Sequence, residues 1–473
     1  MTTKSAFLIL FLSKKGVTVM YEEILEEIEQ NKLKSVKEKL VEMLVPDIAD
    51  LLEQIESPKD LLKVFKILPK DKGAEVFSYI ESDIQEKLVN TLSDKELSYI
   101  IEEMPIDDAV DFVEEMPANI VERTLKASTK ETRRQINQLL GYKDDTAGSI
   151  MTPEFIDLQE NKTVATCLKR IRRLGEDVET INILYVTDHS RVLKGVLSIR
   201  DLLLADEEVK VGEIMNENVV FAETNTDQEE IARLFKQYDF LALPIVDKEK
   251  RLVGIVTIDD VIEVIEEEST EDISKMAATT PNEKPYLKTS SFRLWLNRAP
   301  WLMLLMISAT FTGLIISKNE SLLSSGIYGI LLTACIPMIM GTGGNAGGQS
   351  SATIIRGIAL NEIEFKDLFK VMLKEFFVGV LLGLTISVAC FGKILLIDGV
   401  IFNTPGVDVM SALIISLAMF VTIIIAKLVG CALPILAKKC KLDPAVMASP
   451  FITTILDTLS LLVYCGLALA FLI

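Results

Sequence analysis

The stretch Gly341-Thr342-Gly343-Gly344-Asn345-Ala346-Gly347-Gly348-Gln349-Ser350-Ser351-Ala352 lies inside a long apolar run, and its reading decides the fold. Five glycines fall within its first eight residues, while its flanks, Ile327 to Met340 and Thr353 to Ile355, have the composition of a membrane span. Glycine leaves the backbone free to unwind and approach a ligand. Unwound backbone at membrane depth survives only where it is buried in protein or lines a water-filled cavity. The stretch predicts a broken membrane helix at a pore or substrate site; the alternative is a close helix crossing built from small residues.

Around it, five apolar segments are expected at about 294–317, 322–355, 368–397, 409–437 and 445–473. Each is long enough to cross about 30 Å of hydrocarbon. Lys288, Arg293 and Arg298 precede the first, Arg356, Lys366, Lys370 and Lys374 lie between the second and third, and Lys438, Lys439 and Lys441 between the fourth and fifth; the alternate sides offer only Lys318 and Lys393. Positive charge stays on the cytoplasmic side, so the first 290 residues are expected inside and the C-terminus outside a multi-pass cell-membrane protein.

The 473 residues hold 49 Lys+Arg and 68 Asp+Glu, of which residues 294–473 carry 11 and 9, leaving 38 and 59 for residues 1–293. An acidic soluble part disfavours nucleic acid, which binds through phosphate neutralisation, and favours cations. Six cysteines without a C-x-x-C pair and a single histidine, His189, indicate neither a disulfide framework nor a zinc site. The apolar patch Ala6 to Leu12 lacks a cleavage site and reads as a tail (1–20), with Met20 as an alternative start.

Residues 21–140 are helical by periodicity, with proline-and-acid openings at Pro46, Pro69 and Pro105 each followed by an amphipathic run, the pattern of a superhelical solenoid. Residues 145–206 and 210–265 are a duplication: Ile150-Met151-Thr152-Pro153 recurs as Ile214-Met215-Asn216-Glu217, Leu184 to Asp188 as Leu243 to Asp247, and Leu193 to Leu202 as Leu252 to Val261. Each copy reads strand, turn, strand, helix. The order and the closing glycine-to-aspartate string resemble a tandem of CBS domains, which implies a regulatory α/β pair that often binds an adenine nucleotide such as ATP. Ser198, Arg200 and Asp201 occupy the positions that contact ribose and phosphate in such pairs, unless Asp201 only caps its helix. Residues 260–290 then form an acidic amphipathic connecting helix leading into the membrane part, 291–473.

Within the last segment Asp457 falls near mid-membrane, where an ionisable group is costly unless it meets water or a cation. Asp443, beside Pro444, stands at the cytoplasmic mouth of the same segment. Two carboxylates with the Asn345 amide and glycine carbonyls are an oxygen-only set, which selects hard cations and suits Mg2+ retaining several of its waters. No nucleophile–base pair, P-loop or histidine cluster points to an enzyme.

Together, the glycine string, the Asp443-Pro444-Ala445 turn, Asp457 fourteen residues later, the CBS tandem and the acidic helical N-domain resemble the MgtE family of magnesium channels over essentially all of the chain beyond residue 20. The resemblance implies a homodimer in the lipid bilayer whose shared pore places Asp457 of each copy at a site for hydrated Mg2+, lined also by Asn345 and Gly341. It implies a cytosolic Mg2+ sensor at Glu75, Asp107 and Asp111 in the solenoid and at Asp239, Asp260, Glu263, Glu268, Glu271 and Asp272 in the second CBS repeat and connecting helix, which acts as a plug. Asp260 matches both a nucleotide position and a metal position and is assigned to metal. The alternative reading is a Na+- or H+-coupled divalent-cation transporter regulated by its CBS pair.

Overall fold

A computed structural model describes residues 20–175, 178–282, 286–324, 327–447 and 449–472; the expected tail, but for Met20, lies outside them. The chain divides into two compact units, Met1–Ile265 and Glu266–Ile473.

The first unit opens with short helices. A helix over 20–29 is followed by Leu33–Glu42, Val45–Glu53, Pro58–Ile67, Lys70–Tyr79, Ser82–Val89, Asp94–Glu103, Ile106–Glu115, Ala118–Ala127 and Lys130–Leu139. Prolines stand at the openings, Pro58 as the first helical residue and Pro69, Pro105 and Pro117 as N-caps, where the absent N–H costs no intrahelical bond. Most of these helices pack on the one two further along, which generates the superhelical stack. Its core, Phe65, Phe77, Phe112 and Val113 among others, continues without a break into Ile231, Leu243 and Val261 of the second repeat.

The two repeats build two three-stranded sheets of identical order. Asp157–Gln159 pairs parallel with Ile183–Thr187, which pairs antiparallel with Leu193–Ser198; Ala222–Glu223, Ala242–Val246 and Leu252–Thr257 repeat the arrangement. The repeats exchange their opening methionines. A Cβ on Gly254 would lie 2.6 Å from Met151 Sδ, and one on Gly195 would lie 2.6 Å from Met215 Sδ, so each methionine seats on the glycine of the other repeat's sheet. Bridges Thr152 to Ile255 and Val196 to Asn216 fix the same exchange in the backbone. The duplication read from sequence is therefore one interlocked pair.

Among the described residues, the second unit has five helices long and apolar enough to cross a membrane: Ser291–Lys318, Gly329–Ala359, Phe365–Ile401, Val409–Lys439 and Pro450–Phe471. The fourth is central, with 56% of its apolar window buried against 6% for the first. Tyr464 of the fifth ties to the second by donating to the Leu332 carbonyl at 2.9 Å.

The expected break at Gly341 to Ala352 is not there. Helix Gly329–Ala359 runs through it unbroken, because its glycines serve close packing rather than unwinding. A Cβ on Gly343 would meet Thr422 at 2.9 Å, one on Gly344 would meet Thr453 at 2.8 Å, and one on Gly430 would lie 2.9 Å from the Gly347 Cα. Bare backbone lets the second, fourth and fifth helices approach more closely than any side chain permits. The opposite side differs: Gly341, Asn345 and Gln349, at four-residue spacing, are exposed, and nothing lies within 4 Å of a Cβ on Gly341.

Gly347→Val, whose branched side chain would strike Leu456 and the Ala426 carbonyl, is expected to destabilise the membrane unit strongly, beyond the roughly 1–3 kcal/mol of ordinary overpacking. Gly341→Ala is expected to leave assembly unchanged. Thermal unfolding of the detergent-solubilised variants checks both, and equal stability of Gly347→Val and the parent would contradict the crossing.

Candidate functional site

Two groups of carboxylates are assembled among the described residues, and Asp457 stands apart from both. In the first unit, Asp107 and Asp108 occupy the first turn of helix Ile106–Glu115, where the positive end of the helix favours them, and Asp111 follows one turn later on the same face. One oxygen each of Asp107, Glu154 and Glu179 lie within 4.8 Å of one another. The Glu179 N–H donates to the Glu154 carbonyl at 3.0 Å, which holds those two residues side by side. Asp260 sits in the first turn of helix Ile258–Met276, its Oδ2 accepting from the Thr257 hydroxyl at 2.6 Å.

The carboxylates of this group raise one another's proton affinity. Burial and then Asp260 push Asp107 well above the ordinary range. Burial, with Asp108, Glu114, Asp260 and Glu263 around it, pushes Asp111 up to about 7. Glu179 rises to about 7 through burial and the charges of Asp259 and Asp260, and Asp260 to about 6 through burial and Asp259, against the Thr257 hydrogen bonds that lower it. Each shift reports a charge held in poor solvent among like charges.

Of the residues singled out in the sequence, Asp107, Asp111, Asp260 and Glu263 thus meet. Glu75 is exposed on helix Lys70–Tyr79, where its carbonyl accepts from Ser78, the residue whose hydroxyl bonds Asp108. Asp239 does not join them; it is an exposed left-handed cap, φ 54°, ending helix Gln228–Tyr238. Glu154, Glu179, Asp108 and Asp259 were missed, and for Glu154 the signal was its place directly after the Ile150-to-Pro153 string that opens the first repeat.

Ser198 and Asp201 bond each other. The Ser198 hydroxyl donates to Asp201 Oδ2 at 2.6 Å and accepts from the Asp201 N–H at 3.1 Å, while Arg200 is exposed. The same Ser/Thr-to-Asp cap recurs at Thr257 and Asp260. Ser198 caps its helix, and each aspartate accepts from the hydroxyl three residues before it.

In the second unit the connecting helix brings Glu271, Asp272 and Lys275 to Asp443. Lys275 Nζ lies 2.6 Å from Glu271 Oε1 and 2.7 Å from Asp443 Oδ2, and Asp443 Oδ1 accepts from the Ala445 N–H at 2.8 Å. Lys275 is pushed up to about 12 because these bonds outweigh its burial, and Asp272 is raised by burial and by Asp443. Glu268 is half-buried on the same helix. Lys275 was not anticipated; it places a tethered cation on the mouth carboxylate.

Asp457 is half-buried in helix Ser449–Phe471 and has no hydrogen-bond or ion-pair partner among the described residues. Thr454 and Thr458, which could have satisfied it, donate instead to Pro450 and Thr454 carbonyls one turn back, at 3.0 and 3.2 Å.

Known proteins resemble the chain in every part. Residues 336–467 match a family model described as divalent cation transporter, residues 43–145 the MgtE intracellular N domain, and residues 147–208 and 211–267 CBS domains. A magnesium transporter MgtE of Thermus thermophilus is 39% identical over 447 residues, 94% of this chain and 96% of that protein. One from Bacillus subtilis is 32% identical, covering 90% and 94%. Among solved structures, the soluble part of a magnesium transporter aligns with 29% identity and a TM-score of 0.50 over 54% of this chain and 99% of that one. The cytosolic domain of the Mg2+ channel MgtE in complex with ATP aligns at 40% identity and a TM-score of 0.49, over 52% and 99%. With a helical solenoid, an interlocked CBS pair and five membrane helices matched along nearly its whole length, the chain belongs to the MgtE family of magnesium transporters.

Proposed function

We propose that the chain conducts hydrated Mg2+ through a path between two copies, centred on Asp457, and that cytosolic Mg2+ closes the path. The observation that carries the reading is the Asp457 carboxylate, set within a membrane helix and without a partner among the described residues. Such a charge persists only where it faces water or a cation. The exposed Gly341–Asn345–Gln349 face supports it, because lipid is a poor neighbour for an amide, whereas a second copy or a hydrated ion satisfies it. The bias of Lys and Arg favours a cytoplasmic soluble unit and an external C-terminus.

Closure follows from the carboxylate clusters. Asp107, Asp111, Asp260 and Glu263, joined by Glu154 and Glu179, repel one another when metal-free. Mg2+ entering among them replaces repulsion with bridging, and the 4.8 Å spread of the Asp107–Glu154–Glu179 oxygens leaves room for an ion that keeps some waters. A ligand that prefers one arrangement shifts the population toward it. Glu271, Asp272 and Asp443 extend the same chemistry to the plug, where Lys275 already holds Asp443. Glu75, Asp239 and Glu268 are outlying members of this sensor. An adenine nucleotide on the CBS pair would use Arg200 and take the Asp201 carboxylate from Ser198.

Asp457→Ala is expected to reduce Mg2+ flux into liposomes at least about tenfold while the protein assembles normally, since a carboxylate without partners leaves none orphaned. Undiminished flux from the purified variant would move the ion path elsewhere.

The sensor carries its own pH signature. Carboxyl groups raised to about 6–7 in the folded state titrate near 4 when unfolded, so the metal-free fold holds extra protons. Their contribution to stability is full below about pH 4 and is lost as pH rises through about 7. Without metal, the cytosolic unfolding transition should drop by several degrees between about pH 5 and pH 8. Mg2+ should raise it more at about pH 8, where it displaces fewer protons, than at about pH 5. Equal Mg2+ stabilisation at both pH values would remove this cluster from the sensor.

A further inference from the structure

A second charged group lies inside the membrane unit, away from Asp457. Ser350, Glu375 and Lys427 come from the second, third and fourth membrane helices. Ser350 and Lys427 are 1% and 4% exposed. The Ser350 hydroxyl donates to Glu375 Oε2 at 2.6 Å, and Lys427 Nζ stands 3.9 Å from the same oxygen. The lysine stem lies across the third helix at Gly379, where an added Cβ would be 3.4 Å from Lys427 Cβ and 3.5 Å from its Cγ. Glu375 and Lys427 each lie more than two turns inside the ends of helices Phe365–Ile401 and Val409–Lys439.

The group lies one turn from a backbone-to-backbone helix crossing. Gly347, one turn before Ser350, meets Gly430, one turn after Lys427, backbone to backbone. Packing alone does not require charge there, because a buried ion pair is generally no more stabilising than apolar residues of the same shape. What a hydrogen-bonded ion pair adds is a defined register: in low dielectric the carboxylate must stay on both its hydroxyl and its ammonium, whereas small apolar residues slide. Along helix Gly329–Ala359 the residue held by this pair, Ser350, is five residues from Asn345 and nine from Gly341. A rotation by one residue, about 100°, would turn the exposed Asn345 face into the crossing.

We propose that Glu375 and Lys427, acting through Ser350, are positioning residues for ion transport: they fix the rotation and depth of the helix that presents Gly341 and Asn345. The inference rests on that face lining the ion path. It assigns to this chain an intramembrane Ser–Glu–Lys clamp that touches no transported ion.

The test compares Glu375→Gln, Lys427→Met, their double variant, Ser350→Ala and Ser350→Thr. All are purified, matched for assembled protein and reconstituted in liposomes for Mg2+ flux and for the ratio of Mg2+ to Mn2+ flux. Each single charge variant should lose about tenfold in flux per assembled molecule with an altered ion ratio, and the double variant should recover to within about threefold, because neighbours in one network are non-additive. Ser350→Ala should lose flux and Ser350→Thr, which keeps the hydroxyl, should retain it. If the single charge variants fail to assemble, the Ser350 pair, which leaves both charges in place, decides alone. Parental flux and ion ratio in assembled Glu375→Gln and Lys427→Met, or equal flux in Ser350→Ala and Ser350→Thr, would overturn the proposal and leave a packing element. Asp457→Ala in the same assay separates this outcome from failure of the ion path itself.

Discussion

A carboxylate withdrawn from water needs a proton, a cation or a hydrogen-bond donor, and this chain places its carboxylates so that the three solutions occur at different places. In the soluble unit burial and crowding raise Asp111 and Glu179 to about 7 and Asp260 to about 6, and hold Asp107 well above the ordinary carboxylate range. In the second unit, Asp443 takes the Lys275 ammonium at 2.7 Å. Inside the membrane unit Glu375 takes a hydroxyl and a lysine, whereas Asp457 takes nothing that the described residues supply. A carboxylate left without a partner inside a membrane helix is costly to keep charged unless it meets water or a cation.

Around Asp443 the built-in cation is shared. Lys275 is shared between Glu271 of its own helix and Asp443, with Asp272 beside them, so a divalent ion entering this corner competes with a cation already built into the connecting helix. The charge balance there depends on where that helix lies. Carboxylates on the first turn of the same helix, Asp260 above all, belong to the crowded acidic group of the soluble unit. One helix of 19 residues therefore carries both kinds of acidic group.

Rigidity comes from absent side chains as much as from charges. Gly195 and Gly254 receive the methionines of the opposite repeat, Gly347 and Gly430 let two membrane helices touch along their backbones, and Gly343 and Gly344 receive side chains of the fourth and fifth. In hydrocarbon, where apolar side chains gain little by leaving lipid, close van der Waals contact is the main source of helix association. The glycine-rich stretch meets that need on one face and leaves Gly341 and Asn345 free on the other.

Much was legible in the sequence because it depended on local pattern. Apolar length set the five spans, the three- and four-residue period and proline openings set the solenoid, and the repeated strings set the paired sheets; Asp457 stood out because a charge in such a run is costly without water or a cation beside it. Long-range approach was not legible. Five glycines read as a break, and only packing against Thr422, Thr453 and Gly430 showed an unbroken helix with two different faces. Glu154 and Glu179 join Asp107 from distant parts of the chain, Lys275 meets Asp443 across a still longer interval, and Lys427 meets Glu375 from another helix. Periodicity fixes which side of an element a residue occupies, but electrostatic partnership falls off within a few ångströms, so which charges become neighbours was decided by tertiary structure alone.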